Sequence, residues 1–491
     1  MKPQIRSPEV AVRVAVVHGY YLHDSGSGIY VRELVRNLVR QGHDVTLVCQ
    51  ERDPELYDFI DSAYVLDENN REVLPFGVVR EPLYEGRCRL VRPHLSRLLV
   101  YVNGPFPGFE AGQIGAFQDS PTDWIETYVS ENTSALRTIF AAWPPDVVLT
   151  SHALMAPYLV RETLTSTPYT VTVHGSEINF SVRHDERLTP FTLAGLEGAA
   201  AVVSVSESAV AEVIAWAAEH GLDIAEKTYA IPPGLDAEVF APAPDRRTAI
   251  QALNREGCLP GGLQLGVDDR IIACAGRVMW TKGVQYAVSC LPFVMAQYPS
   301  VHLLFAGDGP AREPLEELAR LLGEGDEAAV RAFVEGAEEL YAPPEFGRLI
   351  PTGMPCAGHL SVHFLGHIDS GRLGLLFAAA DVSLAPSVFP ESFGLVTIEA
   401  LSAGALPLAA YHSGLASVVD VVAEALADPS LKALAPGCCL TSELGRLVLH
   451  AFDHYPTTDA AFRRRLHDIC CSHFSSWGRV VKRYLELATA E

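Results

Sequence analysis

The sequence predicts two α/β domains, each built on a doubly wound, mostly parallel sheet. Three observations predict this. The 491 residues exceed the size at which one core usually keeps growing. Short apolar runs, most ending in Gly, Ser or Thr, alternate with stretches whose apolar residues recur at helical spacing. That rhythm breaks at a Pro-rich stretch, APAPD from Ala241, and then restarts. The predicted domains are therefore 1–243 and 244–475, followed by a last helical segment, 476–491.

In the first domain, Val12 to Val17 reads as a buried strand, followed by the small polar loop HDSGSG. From Gly28, the residues Val31, Leu34, Val35, Leu38 and Val39 mark a helix, with Gly42 where its C-terminal cap belongs. Val45 to Cys49 is the next strand. Residues 69–141, around NGPFPGFEAGQ, are less regular and read as helices and loops. Alternation resumes with DVVLTS from Asp146, YTVTVHG from Tyr169, AAVVSVS from Ala200 and YAIPPG from Tyr229.

The second domain shows the same units: IIACAG from Ile271, VHLLFAGDG from Val301, VHFLG from Val362, DVSLAPS from Asp381 and ALPLAA from Ala405. The helix from Ser370 to Ala380 opens on a serine suited to an N-cap. Residues 321–360, acidic and then rich in Pro and Gly, read as an insertion.

Composition narrows the function. The 37 basic and 60 acidic side chains give a net charge of −23, which disfavours nucleic acid and anionic membrane surfaces as partners. No apolar stretch approaches the ~20 residues of a membrane helix, and the N-terminus lacks a signal-peptide core. The ten cysteines form no CxxC pair. A reduced, cytoplasmic setting is the expectation.

Ligands of open parallel sheets collect beyond the carboxyl ends of the strands, and the chemistry-bearing motifs fall there. GRVMWTKG, Gly276 to Gly283, brings Arg277 and Lys282 to a strand end, where a planar fork and a point charge suit a diphosphate. PESFGLVTIEALSAG, Pro390 to Gly404, carries Glu391 in a loop and Glu399 in a helix, expected about two turns in. Phe393, Gly394 and Leu395 open that helix, whose N–H groups can hold a phosphate while a carboxylate accepts from sugar hydroxyls. Gly26 and Gly28 could bring amides to a second phosphate contact. His174, at the end of YTVTVH, can donate or accept within a cleft or sit satisfied in the core. His359, His363 and His367 lie in strand-like sequence and are set aside as metal ligands. Arg463, Arg464 and Arg465 read as a solvated helix face.

These motifs resemble those of the retaining GT-B glycosyltransferases called family four, or group one. The resemblance also runs through IPPGLDAEVF (Ile231 to Phe240), FAGDGP (Phe305 to Pro310) and FSSWGRVVKRYLEL (Phe474 to Leu487). It implies two facing Rossmann-like domains, with the last helix, from about Ser476, crossing back to the first. It implies a nucleotide diphosphate sugar as donor, an acceptor hydroxyl and retention of configuration, with no cofactor; no Asp–Asp pair or DxD stands where a metal would bridge the phosphates, so no metal is expected. Arg277 and Lys282 would neutralise the diphosphate and Glu399 would bind the ribose. Glu391 would contact the transferred hexose or N-acetylhexosamine beside the amides of Phe393, Gly394 and Leu395. His174 would touch the donor sugar and Gly28 would face the phosphates. Where many relatives carry Pro-Asn-Gly, this chain has Pro-Pro-Gly at Pro232 to Gly234, with Pro233 in the middle place. Within the same fold, an epimerase or phosphorylase is the alternative enzyme, and an idle sugar-nucleotide-binding module the alternative outside catalysis.

Overall fold

A computed structural model describes residues 11–23, 25–101, 109–351 and 358–489. Asp24 of the HDSGSG loop, all of NGPFPG and part of the 321–360 stretch lie outside these. The chain forms two compact units, Met1–Pro233 with Trp477–Glu491, and Gly234–Ser476. The chain passes between them at Pro233, upstream of APAPD, and again at Ser476.

The first unit is built on a nine-stranded sheet. Its strands are β1 (Arg13–Val17), β2 (Asp44–Val48), β3 (Ser62–Leu66), β4 (Val73–Val79) and β5 (Arg87–Arg92). A separate parallel pair, β6 (Leu98–Val100) and β7 (Ile114–Ala116), follows, and β8 (Val147–Ser151), β9 (Tyr169–Val173), β10 (Ala201–Ser204) and β11 (Thr228–Ala230) complete the large sheet. The order is β11-β10-β9-β8-β1-β2-β5-β3-β4, and only the β3–β4 pair is antiparallel. β8 and β9 are buried along their whole length, as expected of central parallel strands covered on both faces.

The irregular stretch thus contributes two strands of the large sheet, β4 and β5, and the β6–β7 pair, as well as nearly all of the helix Thr122–Ala142. β5 (RCRLVR) carries three arginines and β4 (VLPFGVV) holds Pro75 and Gly77, which hid both from a pattern search. Pro75 is tolerated because β4 is an edge strand.

The first helix, Gly26–Arg40, is capped by Ser25, whose Oγ accepts from Gly28 N–H at 3.0 Å. The last helix, Trp477–Thr489, packs on it and on β8 and β9. Val480, Val481 and Leu487 are buried, and Trp477 meets the Tyr30 ring edge-on at 5.1 Å. Tyr484 hydroxyl lies 2.8 Å from Tyr30 hydroxyl and 2.9 Å from Thr172 Oγ1. Gln41 donates to Gly478 carbonyl at 3.0 Å.

The second unit has a five-stranded parallel sheet of β12 (Arg270–Ala275), β13 (Val301–Ala306), β14 (Val362–Gly366), β15 (Val382–Ala385) and β16 (Leu406–Ala409). Its order is β14-β13-β12-β15-β16. The helix Ser370–Ala379 is capped by Asp369, not Ser370: the carboxylate accepts from Arg372 N–H at 2.9 Å. The 321–360 stretch includes a second helix, Glu327–Gly336.

One of the three consecutive arginines departs from the solvated reading. Arg463 is 1% exposed and donates to the carbonyls of Phe377, Ala378, Ala380 and Thr457 at 2.6–3.1 Å. It thereby satisfies carbonyls at the end of the helix Ser370–Ala379 that have no intrahelical partner. Burial, partly offset by Asp381, pulls its guanidinium down to about 10. Asp381 itself is fully buried and accepts from Arg246, Arg270, Thr457 and the Ile271 amide at 2.7–2.9 Å.

Candidate functional site

In the second unit, two of the sequence motifs come together beyond the carboxyl ends of β12 and β15. Lys282 Nζ lies 2.9 Å from Glu391 Oε1. Val388 and Phe389 N–H both donate to Thr281 carbonyl, at 3.0 and 3.2 Å, which stitches the two loops. Gly283 permits this approach: it has φ +68°, and a Cβ there would sit 1.9 Å from Pro386 carbonyl oxygen. The FAGDGP motif shapes the first loop from beneath. Val278 N–H donates to Asp308 carbonyl at 3.0 Å, and Ala311 N–H to Val278 carbonyl at 3.1 Å.

Glu391 is held from three sides. Ser387 Oγ donates to Oε1, Ser413 Oγ accepts from Glu391 N–H at 3.0 Å, and Gly414 N–H donates to its carbonyl at 2.8 Å. His412 Nε2 in turn donates to Ser387 carbonyl at 2.7 Å. Ser387, His412 and Ser413 escaped the sequence reading because isolated hydroxyls and histidines carry no spacing signal.

The helix Leu395–Ala403 starts behind Gly394, at φ +90°, and the helix Ser413–Leu426 starts beside Glu391. The dipoles of both N-termini make this strand end electropositive beyond the reach of Lys282, while Gly414 N–H is already taken by Glu391 carbonyl. Phe393 is buried, with its ring edge-on to Phe474 at 6.1 Å. Glu399 is the fifth residue of its helix, about one turn in rather than two. Arg277 lies exposed on the same loop as Lys282 and forms no ion pair among the described residues.

The first unit gathers a second cluster at the ends of β1, β8 and β9. His174 Nε2 is 3.0 Å from Ser151 Oγ, which is 3.1 Å from His18 Nδ1. His18 Nε2 lies 3.2 Å from Tyr21 carbonyl oxygen. Glu177, fully buried, ties the loops after β8 and β9 together. It accepts from Ala153 N–H at 2.9 Å, from His174 N–H at 3.1 Å and from His152 Nδ1 at 3.3 Å. Burial opposes its ionisation, but His152, His174 and the amide hold the carboxyl down to about 2. Burial, reinforced by His152, drives His174 down to about 3 and His18 well below the ordinary histidine range. His152 occupies the left-handed region at φ +74°, a strained backbone of the kind that clusters at working sites. His18, Ser151, His152 and Glu177 were visible in VVHG, TSH and HGSE as strand-end residues, yet only His174 was singled out.

Gly28 is buried and its N–H is taken by Ser25. A Cβ there would sit 2.6 Å from Tyr21 carbonyl oxygen, so this glycine serves the close approach of the first helix to the preceding loop. His363 lies on β14, where Ser361 Oγ is within 2.9 Å of its Nε2 and His302 Nδ1 within 3.5 Å.

Residues 25–222 match the family model described as glycosyl transferase 4-like domain, and residues 359–431 match glycosyl transferases group 1. Among curated relatives, the D-inositol 3-phosphate glycosyltransferases of Mycobacterium tuberculosis and Mycobacterium bovis are 32% identical over 196 residues. That stretch is 40% of this chain and 31% of the relative's length. Among solved structures, sucrose-phosphate synthase from Thermosynechococcus elongatus superposes with a TM-score of 0.60 at 20% identity, covering 97% of this chain and 98% of that one. The catalytic domain of Arabidopsis thaliana starch synthase IV, bound to ADP and acarbose, gives 0.60 at 16% identity, covering 98% and 99%. Anabaena HepE in complex with UDP gives 0.60 at 14% identity, covering 98% and 100%.

Proposed function

Because this chain carries a glycosyl transferase 4-like domain followed by a group 1 glycosyl transferase domain, on a GT-B fold, we propose that it moves a sugar from a nucleotide diphosphate to an acceptor hydroxyl. The observation that carries this reading is the junction of Lys282 and Glu391 at the helix start Gly394–Leu395. A cation, a fixed carboxylate and helix N–H groups within one strand-end pocket are what a diphosphate joined to a polyhydroxyl group requires.

The barrier in such a transfer is cleavage of the bond between the anomeric carbon and the leaving diphosphate. Negative charge grows on the diphosphate as the sugar becomes oxocarbenium-like, and preorganised positive groups lower that barrier. Lys282 is partly exposed, and an ion pair of that kind contributes ~0–1 kcal/mol to folding. Its stronger use is against phosphate: at 4 Å and an effective dielectric near 20, one unit charge pair is worth ~4 kcal/mol. Arg277 adds a second cation from the same loop. Glu391, held by Ser387 and Ser413, keeps its geometry when Lys282 turns to the diphosphate, and it accepts from the sugar hydroxyls. Glu399 is assigned to the ribose and His174 to a sugar hydroxyl.

Two further features follow as part of the proposal. Lys282, Arg277 and two helix N-termini supply the positive charge a bridging metal would otherwise bring, so activity is expected to persist in chelator. Retention of anomeric configuration is proposed on the strength of the family resemblance and is read from the product anomer by NMR. We place the reaction in the cytoplasm, supported by Cys49, Cys88, Cys274 and Cys290, all buried as free thiols. No helix among the described residues is long and apolar enough to cross a membrane.

Thermal shift and calorimetry against UDP-, GDP- and ADP-sugars test the reading. A ligand at a hundred times its Kd adds ~2.7 kcal/mol of stability. The expected result is a shift with one nucleotide class, abolished in Lys282→Ala and Glu399→Ala. Absence of a shift with every class would refute the donor site.

A further inference from the structure

We propose that His412 is a positioning residue of the donor site and that Phe346, from the 321–360 insertion, backs it. Together they hold Glu391 with one carboxylate oxygen left for a ligand. The case starts from the carboxylate. Ser387 Oγ donates to Glu391 Oε1, and Lys282 Nζ lies 2.9 Å from the same oxygen. No hydrogen bond to Oε2 comes from the described residues, and the side chain is 18% exposed. Oε2 is therefore the oxygen with lone pairs for an incoming hydroxyl.

A closed ring of hydrogen bonds fixes that arrangement, and His412 is the member that closes it. Ser387 carbonyl oxygen can only accept, so His412 Nε2, 2.7 Å away, bears a hydrogen. Nδ1 of the uncharged ring then accepts from Ser413, whose Oγ is 3.2 Å away. With its hydrogen directed at His412, Ser413 Oγ accepts the Glu391 N–H at 3.0 Å. Ser387 completes the circuit by giving its own hydrogen to Glu391 Oε1. One imidazole thus reaches Glu391 from two sides. Ser413 holds its place at φ +50°, a left-handed backbone that disfavours a side chain, and its hydroxyl is the group the ring uses.

The insertion meets this ring from behind. Phe346 is 3% exposed, and its ring centroid lies 5.9 Å from that of His412. The same short segment touches the cation loop. Tyr341 stands edge-on to Trp280 at 5.1 Å, and Gln285 Nε2 donates to the carbonyls of Tyr341 and Trp280 at 2.7 and 3.1 Å. Thr441 secures the segment further on by donating to Leu349 carbonyl at 2.7 Å. Residues 341–349 therefore brace both loops, the one that carries Lys282 and the one that carries Glu391.

The consequence is a division of labour. With Glu391 fixed independently of Lys282, the lysine can turn to a diphosphate while the carboxylate keeps its aim at sugar hydroxyls. His412 and Phe346 serve the sugar and not the nucleotide. This deepens the glycosyl-transfer reading and rests on it for the identity of the ligand, but not for the hold on Glu391.

Two measurements on the full chain test this. The first needs no ligand. Hydrogen exchange at the Glu391 amide is expected to be about tenfold faster in His412→Ala and in Phe346→Ala, with the amides of β15 unchanged. In the second, calorimetry gives Kd for UDP-glucose, GDP-mannose and ADP-glucose and for UDP, GDP and ADP. His412→Ala should weaken the sugar nucleotide that binds about tenfold, the worth of one hydrogen bond to a charged group, and leave the bare nucleotide unchanged. In a Glu391→Ala background, His412→Ala should add nothing, because the two act through one contact. His412→Gln, which keeps a donor for Ser387 carbonyl, should recover part of the loss. Unchanged exchange at Glu391 in either variant overturns the proposal. So does equal weakening of sugar nucleotide and bare nucleotide, or a His412→Ala penalty that persists in full without Glu391. If exchange responds as expected but no sugar nucleotide binds the wild type, the hold on Glu391 stands and the glycosyl-transfer reading falls.

Discussion

Lys282 and Glu391 bond to each other at 2.9 Å while both remain partly open to solvent, so neither is committed to the pair. Lys282→Ala should reduce turnover about 10²–10³-fold, the usual cost of one missing electrostatic donor, with the unfolding midpoint nearly unchanged. Full turnover in that variant would remove Lys282 from the chemistry. The histidine cluster predicts a different signature. His18 and His174 have folded-state affinities for a proton below that of an unfolded histidine, near 6.5, and His174 reaches about 3. Below pH 6.5 the unfolded chain binds protons that the folded chain refuses, so stability falls as pH drops from about 6.5 towards 3. The slope is up to ~1.4 kcal/mol per pH unit for each such histidine. Thermal unfolding followed from pH 7.5 to 5 should show a falling Tm, and a shallower fall in His174→Gln. At this scale, charged residues were legible: paired cations in a net-acidic chain stand out. Ser151, Ser387 and Ser413 were not, since a hydroxyl acquires its role only from the partner the fold brings to it.

Among the elements, the loop Gly276–Gly283 shows how a backbone builds a site. Gly283 adopts φ +68° with Pro386 carbonyl pressed where a Cβ would be. Gly283→Ala should cost at least ~1–3 kcal/mol from the conformation alone, with the clash added, and it should weaken nucleotide binding by moving Lys282. Denaturant midpoints and calorimetry on the same preparation separate the two effects. The strand–helix units that were legible are those whose strands are continuous apolar runs, such as VVLTS and YTVTV, both buried throughout. β4 and β5 were missed for physical reasons. Arg87, Arg89 and Arg92 can occupy a strand because Arg89 reaches Asp44 and Thr46 and Arg92 lies over the Phe76 ring. Pro75 and Gly77 fit an edge strand that pairs on one side only. The reading of Arg463 failed likewise: an arginine triplet looks solvated until a helix end supplies carbonyls to receive it.

Across the whole molecule, the chain leaves the first unit at Pro233 and returns to it at Trp477. The returning helix buries Trp477, Val480, Val481, Tyr484 and Leu487 against the first helix and the central strands. Each fully buried apolar side chain of this kind is worth ~1.5–3 kcal/mol, so together they rival the 5–15 kcal/mol that holds a typical domain. A chain truncated after Ser476 should lose cooperative unfolding of the first unit while the second retains its own transition. Differential scanning calorimetry would show one transition where the intact chain shows both. The return of the last helix was legible only through family resemblance, because its amphipathic pattern states that it packs and not where. The ribosome must therefore make about half the protein between the two contributions to the first sheet's cover. At the usual 5–20 residues per second, the first 233 residues wait roughly 10–50 s for their closing piece. During that interval the surface destined for Trp477 and Tyr484 is bare to water and to chaperones. A piece made late thus completes a unit begun early, and a nonsense codon at Trp477 should be as damaging to the first unit as one at Pro233.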